Sequence, residues 1–116
     1  MVSLSLIVLK TKQEESLRDF YGTLGIEFQT EQHGTGPTHH AGELGDLIME
    51  IYPLNENAMT DQTTRLGFIV EDLRQTLEFL ENLNLIEKKD PVQTEWGLRV
   101  VLRDPDGRAV ELYQRL

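Results

Sequence analysis

The chain carries one four-residue pattern twice, first as Met49-Glu50-Ile51-Tyr52 and, 61 residues later, as Val110-Glu111-Leu112-Tyr113. In each copy a glutamate stands between two apolar residues, and a tyrosine follows two positions later. Because successive side chains of a β-strand point to opposite faces, the glutamate and the tyrosine share one face and the apolar residues share the other. The pattern therefore predicts two equivalent strands with one carboxylate each.

The likeness between the two halves extends upstream of these strands at a nearly constant offset of 60 residues. The matched residues are Leu6 with Leu66, Leu17 with Leu77, Phe20 with Leu80, and Ile26-Glu27 with Ile86-Glu87. Internal duplication is the simplest explanation of such a repeat. We therefore expect a single α+β domain of two βαβββ modules, about residues 1–53 and 64–116, joined by a polar linker of residues 54–63.

Apolar spacing predicts one helix in each module, at residues 13–24 and 72–83, with Asp72 as the N-cap of the second helix. The predicted apolar faces are Leu17, Phe20, Tyr21 and Leu24 in the first helix and Leu73, Leu77, Leu80 and Leu83 in the second. Strands are predicted at residues 3–10, 26–32, 38–43, 46–52, 65–70, 86–89, 98–103 and 108–114. The helices need the apolar strand faces as partners. Glu50 and Glu111 are therefore each expected on the sheet face that points away from the helix, where they would line a shared cup if the sheets curve together.

Composition restricts the classes of partner. Asp and Glu number 20 against 11 Lys and Arg, a formal net charge of −9, which disfavours nucleic acids and anionic membrane surfaces. No apolar run approaches the roughly 20 residues that a membrane span requires. There is no cysteine, which excludes thiolate metal sites and thiol nucleophiles within this sequence. We expect a cytoplasmic protein that acts on or binds a small molecule.

Three stretches resemble the vicinal oxygen chelate superfamily, which contains glyoxalase I, the bleomycin-resistance proteins and the extradiol dioxygenases. They are residues 16–28, Glu50 on the fourth predicted strand, and Asp104-Pro105-Asp106-Gly107 followed by Glu111. Residues 33–41 resemble a subgroup of small bacterial glyoxalase-like proteins. The resemblance implies curved mixed sheets around a ligand-binding cup, and a homodimer. It does not determine the reaction, because this fold hosts isomerases, dioxygenases, thiol transferases and metal-free binders.

The resemblance also implies a metal site built from one side chain of each first strand and one glutamate of each fourth strand. Glu50 and Glu111 fill the glutamate positions, as metal ligands or as catalytic residues. The first-strand positions fall on Ser5 or Leu6 and on Arg65. None of these is a good ligand, and arginine is a permanent cation that repels a metal. Usual glyoxalase I activity is therefore not expected, and Arg65 could instead pair with one of the glutamates.

Three histidines lie within eight residues, at His33, His39 and His40. Neighbouring residues of a strand point to opposite faces, so only one of His39 and His40 can join Glu50. His40 is the candidate third ligand for a divalent Ni, Zn, Mn or Fe ion, although His39 is not excluded. The alternative is that these histidines make only local hydrogen bonds and that the protein holds no metal.

Further polar and aromatic residues share the expected glutamate face. Arg99 and Arg103 alternate with aliphatic residues, and they could hold an anionic group of a substrate or pair with Glu50 and Glu111. A second set, Tyr52, Tyr113 and Trp96, could form the wall of a pocket or a packed rim.

Two functions follow from different classes. The chain is either a metal-assisted lyase, isomerase or dioxygenase with an incomplete family metal site, or a metal-free protein that sequesters a ligand as bleomycin-resistance proteins do. An interaction module with an empty cup is a third possibility, without a sequence feature in its favour.

Overall fold

A computed structural model describes all 116 residues, and it divides into two compact units, residues 1–60 and 61–116. Each unit contains one helix and one four-stranded mixed sheet, which confirms the α+β class and the repeated βαβββ order. The boundary between the units lies within the polar stretch expected to be a linker. No helix is long and apolar enough to cross a membrane.

The first unit contains four strands and a helix between the first two strands. The elements are β1 (Leu6–Thr11), α1 (Glu14–Thr23), β2 (Phe28–Glu31), β3 (His39–Leu44) and β4 (Leu47–Pro53). The sheet order is β1-β4-β3-β2, with β1 parallel to β4 and the other pairs antiparallel. The last strand of the unit is therefore an inner strand of its sheet.

The core of the first unit lies between α1 and β4. The helix buries Leu17, Phe20 and Tyr21, and β4 buries Met49 and Ile51. Fully burying a side chain of this size contributes about 1.5–3 kcal/mol. The helix ends before Leu24, and Gly25 follows with φ of 114°, a conformation that glycine adopts without strain.

The second unit repeats this arrangement. Its elements are β5 (Leu66–Ile69), α2 (Leu73–Asn82), β6 (Val92–Thr94), β7 (Gly97–Arg103) and β8 (Ala109–Arg115), in the sheet order β5-β8-β7-β6. The strand expected at residues 86–89 was wrong, since those residues are irregular and β6 begins at Val92. Strand β6 forms by pairing with β7, and its residues show no alternation of apolar and polar side chains that would predict a strand.

Helix α2 packs against β8, and its N-terminus has the predicted cap. Asp72 accepts a hydrogen bond from Gln75 N at 3.1 Å. The predicted apolar face is correct for Leu73, Leu77 and Leu80, which are buried, but not for Leu83, which is 56% exposed. The helix ends at Asn82, so Leu83 no longer follows the helical spacing.

The turn between β7 and β8 is a buried ionic structure. Asp104 Oδ1 accepts hydrogen bonds from Asp106 N at 2.9 Å and Arg108 N at 3.0 Å. Arg108 is 1% exposed, and its Nη1 lies 2.9 Å from Asp106 Oδ2 and 3.3 Å from Asp104 Oδ2. The Asp-Pro-Asp-Gly stretch is therefore a structural element here, which orients β8 with Glu111 on it.

Candidate functional site

The first unit presents Glu50 on the sheet face opposite α1. Met49 and Ile51 point to the helix, and Glu50 lies between them on β4, opposite Val8 of β1 and Ala41 of β3 in the strand register. The Glu50 side chain is 19% exposed, so it is partly shielded from water but still accessible.

Glu50 lies beside a histidine held in a fixed orientation. His39 Nε2 is 3.4 Å from Glu50 Oε2, and the His39 ring is stacked on Tyr52 at a centroid distance of 4.1 Å and an angle of 8°. Tyr52 Oη is also 3.3 Å from His39 Nε2. Burial, together with the negative charges of Glu50 and Glu31, raises the pKa of Tyr52. Tyr52 therefore stays a neutral hydroxyl beside these carboxylates.

The choice of His40 as the histidine that joins Glu50 is corrected to His39. His40 is paired with Ile51 in the register, which places it on the helix face, and its Nδ1 lies 3.1 Å from Thr30 Oγ1. The prediction that only one of the two adjacent histidines reaches the Glu50 face was correct, but the sequence alone does not determine the phase of the strand at this point.

The second unit presents Glu111 on the equivalent face of β8, between two arginines. Arg99 Nε donates to Glu111 Oε1 at 2.6 Å, and Arg65 Nη2 donates to Glu111 Oε2 at 3.2 Å. The hydrogen bonds from Arg99 and then Arg65 lower the pKa of Glu111, and the pairing with Glu111 raises the pKa of Arg99. The predicted pairing of Arg65 with a glutamate is confirmed.

A cavity of about 670 Å³ lies in the first unit beside β2 and β3. Its charged lining consists only of glutamates, Glu27, Glu31 and Glu43, and its apolar lining includes Ala41 and Ile48. The volume is within the range of roughly 300–1,000 Å³ that ligand pockets occupy. Such a lining favours a cation with an apolar body.

Comparison with known proteins gives a likeness in structure. No family model matches the sequence, and no curated protein matches it. Among solved structures, TnmS3, an antibiotic binding protein from Streptomyces sp. CB03234, is 20% identical, with a TM-score of 0.72 over 100% of this chain and 98% of that chain. The chain has the glyoxalase/bleomycin resistance/dioxygenase fold.

Two further solved structures support this assignment of the fold. A glyoxylase/bleomycin resistance protein/dioxygenase domain from Frankia sp. EAN1pec is 20% identical, with a TM-score of 0.71 over 100% of this chain and 99% of that domain. A glyoxalase family protein from Bacillus anthracis is 19% identical, with a TM-score of 0.71 and coverage of 100% and 97%. The likeness concerns the fold, and it confirms the resemblance to the vicinal oxygen chelate superfamily at that level.

The metal site that the glyoxalase/bleomycin resistance/dioxygenase fold implies does not fit these residues. Arg65 immediately precedes the Leu66–Val110 pair, so it lies level with the residue before Val110. The equivalent of that residue in β4 is Ile48, and Leu6 is paired with Ile48. Leu6 is therefore the counterpart of Arg65. Leucine offers no ligand atom and arginine is a permanent cation. Of the four family positions only the two glutamates can ligate a metal, and one of these is already held by two guanidinium groups.

The same register shows that His39 and Arg99 are equivalent residues of the two units. His39 stacks on Tyr52 as its cross-strand neighbour, and Arg99 is paired with Tyr113. Each of these residues contacts the glutamate of its own unit. The duplicated halves therefore keep one contact, from the third strand to the fourth-strand carboxylate, and differ in the chemistry of the partner.

The remaining predicted ligand-binding residues do not form a cluster with Glu111. Arg103 shares its face, but its Nη1 donates to Gly107 O at 3.2 Å. Trp96 lies in the β6–β7 turn and is 69% exposed, and Tyr113 is half-buried opposite Arg99. A role for these three residues in binding stays a prediction.

The sequence analysis missed Glu31 and the acidic cavity. Glu31 is paired with His39 across β2 and β3, and its Oε2 lies 3.2 Å from His33 Nε2 and 3.5 Å from His39 Nε2. The three histidines at residues 33–40 were the feature of the sequence that pointed to this region. Their acidic partner could be found only from the register of β2 against β3.

Proposed function

We propose that the chain is a small-molecule-binding protein of the bleomycin-resistance type. It binds its ligand without a metal ion, and neither Glu50 nor Glu111 serves as a metal ligand. The observation that carries this proposal is the double arginine contact of Glu111. Arg99 and Arg65 reach the two oxygens of the carboxylate at 2.6 and 3.2 Å. Both available ligand atoms of Glu111 are thereby used.

A metal at Glu111 would meet strong repulsion. An ion bound there would lie within a few ångströms of two guanidinium groups that cannot lose their charge. Coulomb repulsion grows with the charge of the ion, so a divalent ion is repelled more strongly than a monovalent one. The arginines supply the positive charge that a metal would otherwise supply.

The acidic cavity of the first unit supports a cationic ligand. Glu27, Glu31 and Glu43 line it, no lysine or arginine does, and the whole chain carries −9. Negative charge in a cleft raises the local concentration of cations. The antibiotic binding described for TnmS3 is in keeping with a ligand-sequestering role for this fold. The homodimer and the cytoplasmic location belong to this proposal as expectations.

Thermal denaturation in a chelating buffer tests the proposal. The probes are bleomycin, a cationic glycopeptide, and organic cations with an aromatic body, with aromatic carboxylates of similar size as the anionic comparison. A ligand at 100 times its Kd adds about 2.7 kcal/mol to stability, which corresponds to a Tm increase on the order of 10 °C. The shift should weaken at high salt.

Matched variants locate the effect. Glu43→Gln combined with Glu27→Gln removes two charges from the cavity and should reduce the Tm shift caused by cations, whereas Glu71→Gln, an exposed residue of the second unit, should leave it unchanged. Absence of stabilisation by every cation, or equal stabilisation by the carboxylates, would contradict the proposal.

A metal-assisted lyase, isomerase or dioxygenase is the second candidate, favoured by the contact of His39 with Glu50 at 3.4 Å. It requires a stoichiometric divalent ion and turnover of an oxygenated substrate. Metal analysis of protein loaded with Ni, Zn, Mn or Fe, before and after Glu50→Gln, separates it from the binding protein.

A further inference from the structure

A second group of potential ligands lies at one end of the first sheet, away from the family positions. It consists of Glu31 at the end of β2, His33 in the loop and His39 at the start of β3, and we refer to it as the edge cluster. One ligand atom from each residue can be chosen so that all three lie within 4.8 Å of one another. The pairing of Glu31 with His39 in the strand register holds two of the three residues together.

Two of the three distances in the edge cluster are close to those of a coordination shell. Glu31 Oε2 lies 3.2 Å from His33 Nε2 and 3.5 Å from His39 Nε2. Ligands bound at about 2.0–2.1 Å around tetrahedral zinc are separated by roughly 3.3–3.4 Å. His33 is the most exposed of the three, at 73%, so it is free to make the remaining adjustment by a change of rotamer.

His39 is oriented as metal-binding histidines are. Its Nδ1 lies 3.2 Å from the carbonyl oxygen of Pro37, which can only accept, so Nδ1 carries the proton and donates. Nε2 is therefore the atom that can bind a metal, in place of its contact with Tyr52 Oη at 3.3 Å, and it faces the carboxylates of Glu31 and Glu50 at 3.5 and 3.4 Å. A backbone carbonyl that fixes the tautomer is the usual outer-shell partner of a ligating histidine.

We propose that the edge cluster binds a divalent transition metal ion through His39 Nε2, His33 Nε2 and the Glu31 carboxylate. Glu50, 3.4 Å from His39 Nε2, supplies a nearby compensating negative charge without ligating the ion. Two imidazoles and a carboxylate favour Zn²⁺, Ni²⁺ or Co²⁺ over the oxygen-preferring Ca²⁺ and Mg²⁺. The site uses no first-strand residue and not Glu111, and it shares only Glu31 with the lining of the acidic cavity.

Metal binding here would connect a loop to the sheet. His33 lies in the segment between β2 and β3, while Glu31 and His39 belong to the paired strands on either side of it. An ion held by all three would close this segment against the sheet at the rim of the acidic cavity, which Glu31 also lines. The expected consequence is slower hydrogen exchange of the loop amides in the metal-bound protein.

Calorimetric titration of the EDTA-stripped protein with Zn²⁺, and with Co²⁺ followed by its visible absorption, tests the site. One ion per chain should bind, and Glu31→Gln and His33→Ala should each weaken binding at least about tenfold. The controls are His40→Asn, the neighbouring histidine on the opposite face, and Asp46→Asn, an exposed acid in the β3–β4 turn. Both should keep the wild-type affinity.

Failure is recognisable because His33 is exposed and its replacement leaves the core intact. Absence of Zn²⁺ and Co²⁺ binding to wild-type protein, or unchanged binding in both Glu31→Gln and His33→Ala, would overturn the proposal. Equal loss of affinity in the controls would also overturn it, because binding would then depend on net charge, in the case of Asp46→Asn, or on a histidine of the opposite face, in the case of His40→Asn. His33→Ala should still show the cation-dependent Tm shift in chelating buffer, so the two proposals fail separately.

Discussion

Replacement of Asp104 by alanine tests the buried ionic turn that connects β7 to β8. The change removes the acceptor of two backbone N–H groups, those of Asp106 and Arg108, and one of the three carboxylates that face the Arg108 guanidinium. Arg108 is 1% exposed, so its charge cannot be solvated without opening the turn.

The magnitude follows from these contacts. Removal of one partner of a buried ion pair costs about 3–5 kcal/mol, and the lower end applies because Asp106 remains 2.9 Å from Arg108. The two lost backbone hydrogen bonds add about 1 kcal/mol each. We expect Asp104→Ala to lower the free energy of unfolding by about 5 kcal/mol, a large part of the roughly 5–15 kcal/mol that domains possess.

Urea denaturation followed by far-ultraviolet circular dichroism measures this value. Asp104→Asn keeps an oxygen for the two backbone donors, so it should cost less than Asp104→Ala and report mainly on the charge. The double variant Asp104→Ala/Arg108→Met should lose less stability than the sum of the losses in the two single variants, by at least about 1 kcal/mol, as expected for residues in contact. A cost below about 1 kcal/mol for Asp104→Ala, or strict additivity in the double variant, would refute the reasoning.

Two other predictions concern the second sheet. Hydrogen bonds from Arg99 lower the pKa of Glu111, so the stability that the Glu111 carboxylate contributes is present above its unfolded pKa of about 4.3 and is lost as the pH falls through the lower folded value. Glu111→Gln should therefore reduce Tm by roughly 2–4 °C at pH 7 and have little effect near pH 2. Calorimetry at both pH values measures this difference. Gly97 has φ of 147°, and an added Cβ would clash with the Gln114 carbonyl oxygen, so Gly97→Ala should cost more than about 2 kcal/mol in urea denaturation. Gly25→Ala, also at positive φ but without a contact within 4 Å, should cost about 1 kcal/mol. Equal costs would exclude the clash as the cause.

The repeat made most of the fold predictable. Matched positions such as Leu17 and Leu77 are buried in the same way in each half, so their spacing predicted the helices, the order of helices and strands along the chain, and most of the buried faces. The strand at residues 92–94 could not be found in this way. Val92-Gln93-Thr94 has no apolar alternation, and it becomes a strand only because β7 offers it unpaired backbone groups.

The candidate site was less predictable, because contacts between strands depend on register. Glu50 and Glu111 follow from alternation within one strand. The partner of each glutamate depends instead on the neighbouring strand, where a shift of one residue exchanges His39 for His40. Arg65 could be inferred because the repeat offset placed it, whereas Glu31 has no marked counterpart in the second half and emerged only from its pairing with His39.

In each sheet the strand made last occupies an inner position. Strand β8 lies between β5 and β7, and it contributes Val110 and Leu112, both without exposed surface. During synthesis the second sheet therefore remains without its centre until residue 115 has left the ribosome, and β5, whose only partner strand is β8, stays unpaired while α2 is already complete. The first unit, whose inner strand β4 ends at Pro53, has all its strands before β8 is synthesised. Translation thus imposes an order on two halves that their common architecture would otherwise leave equivalent.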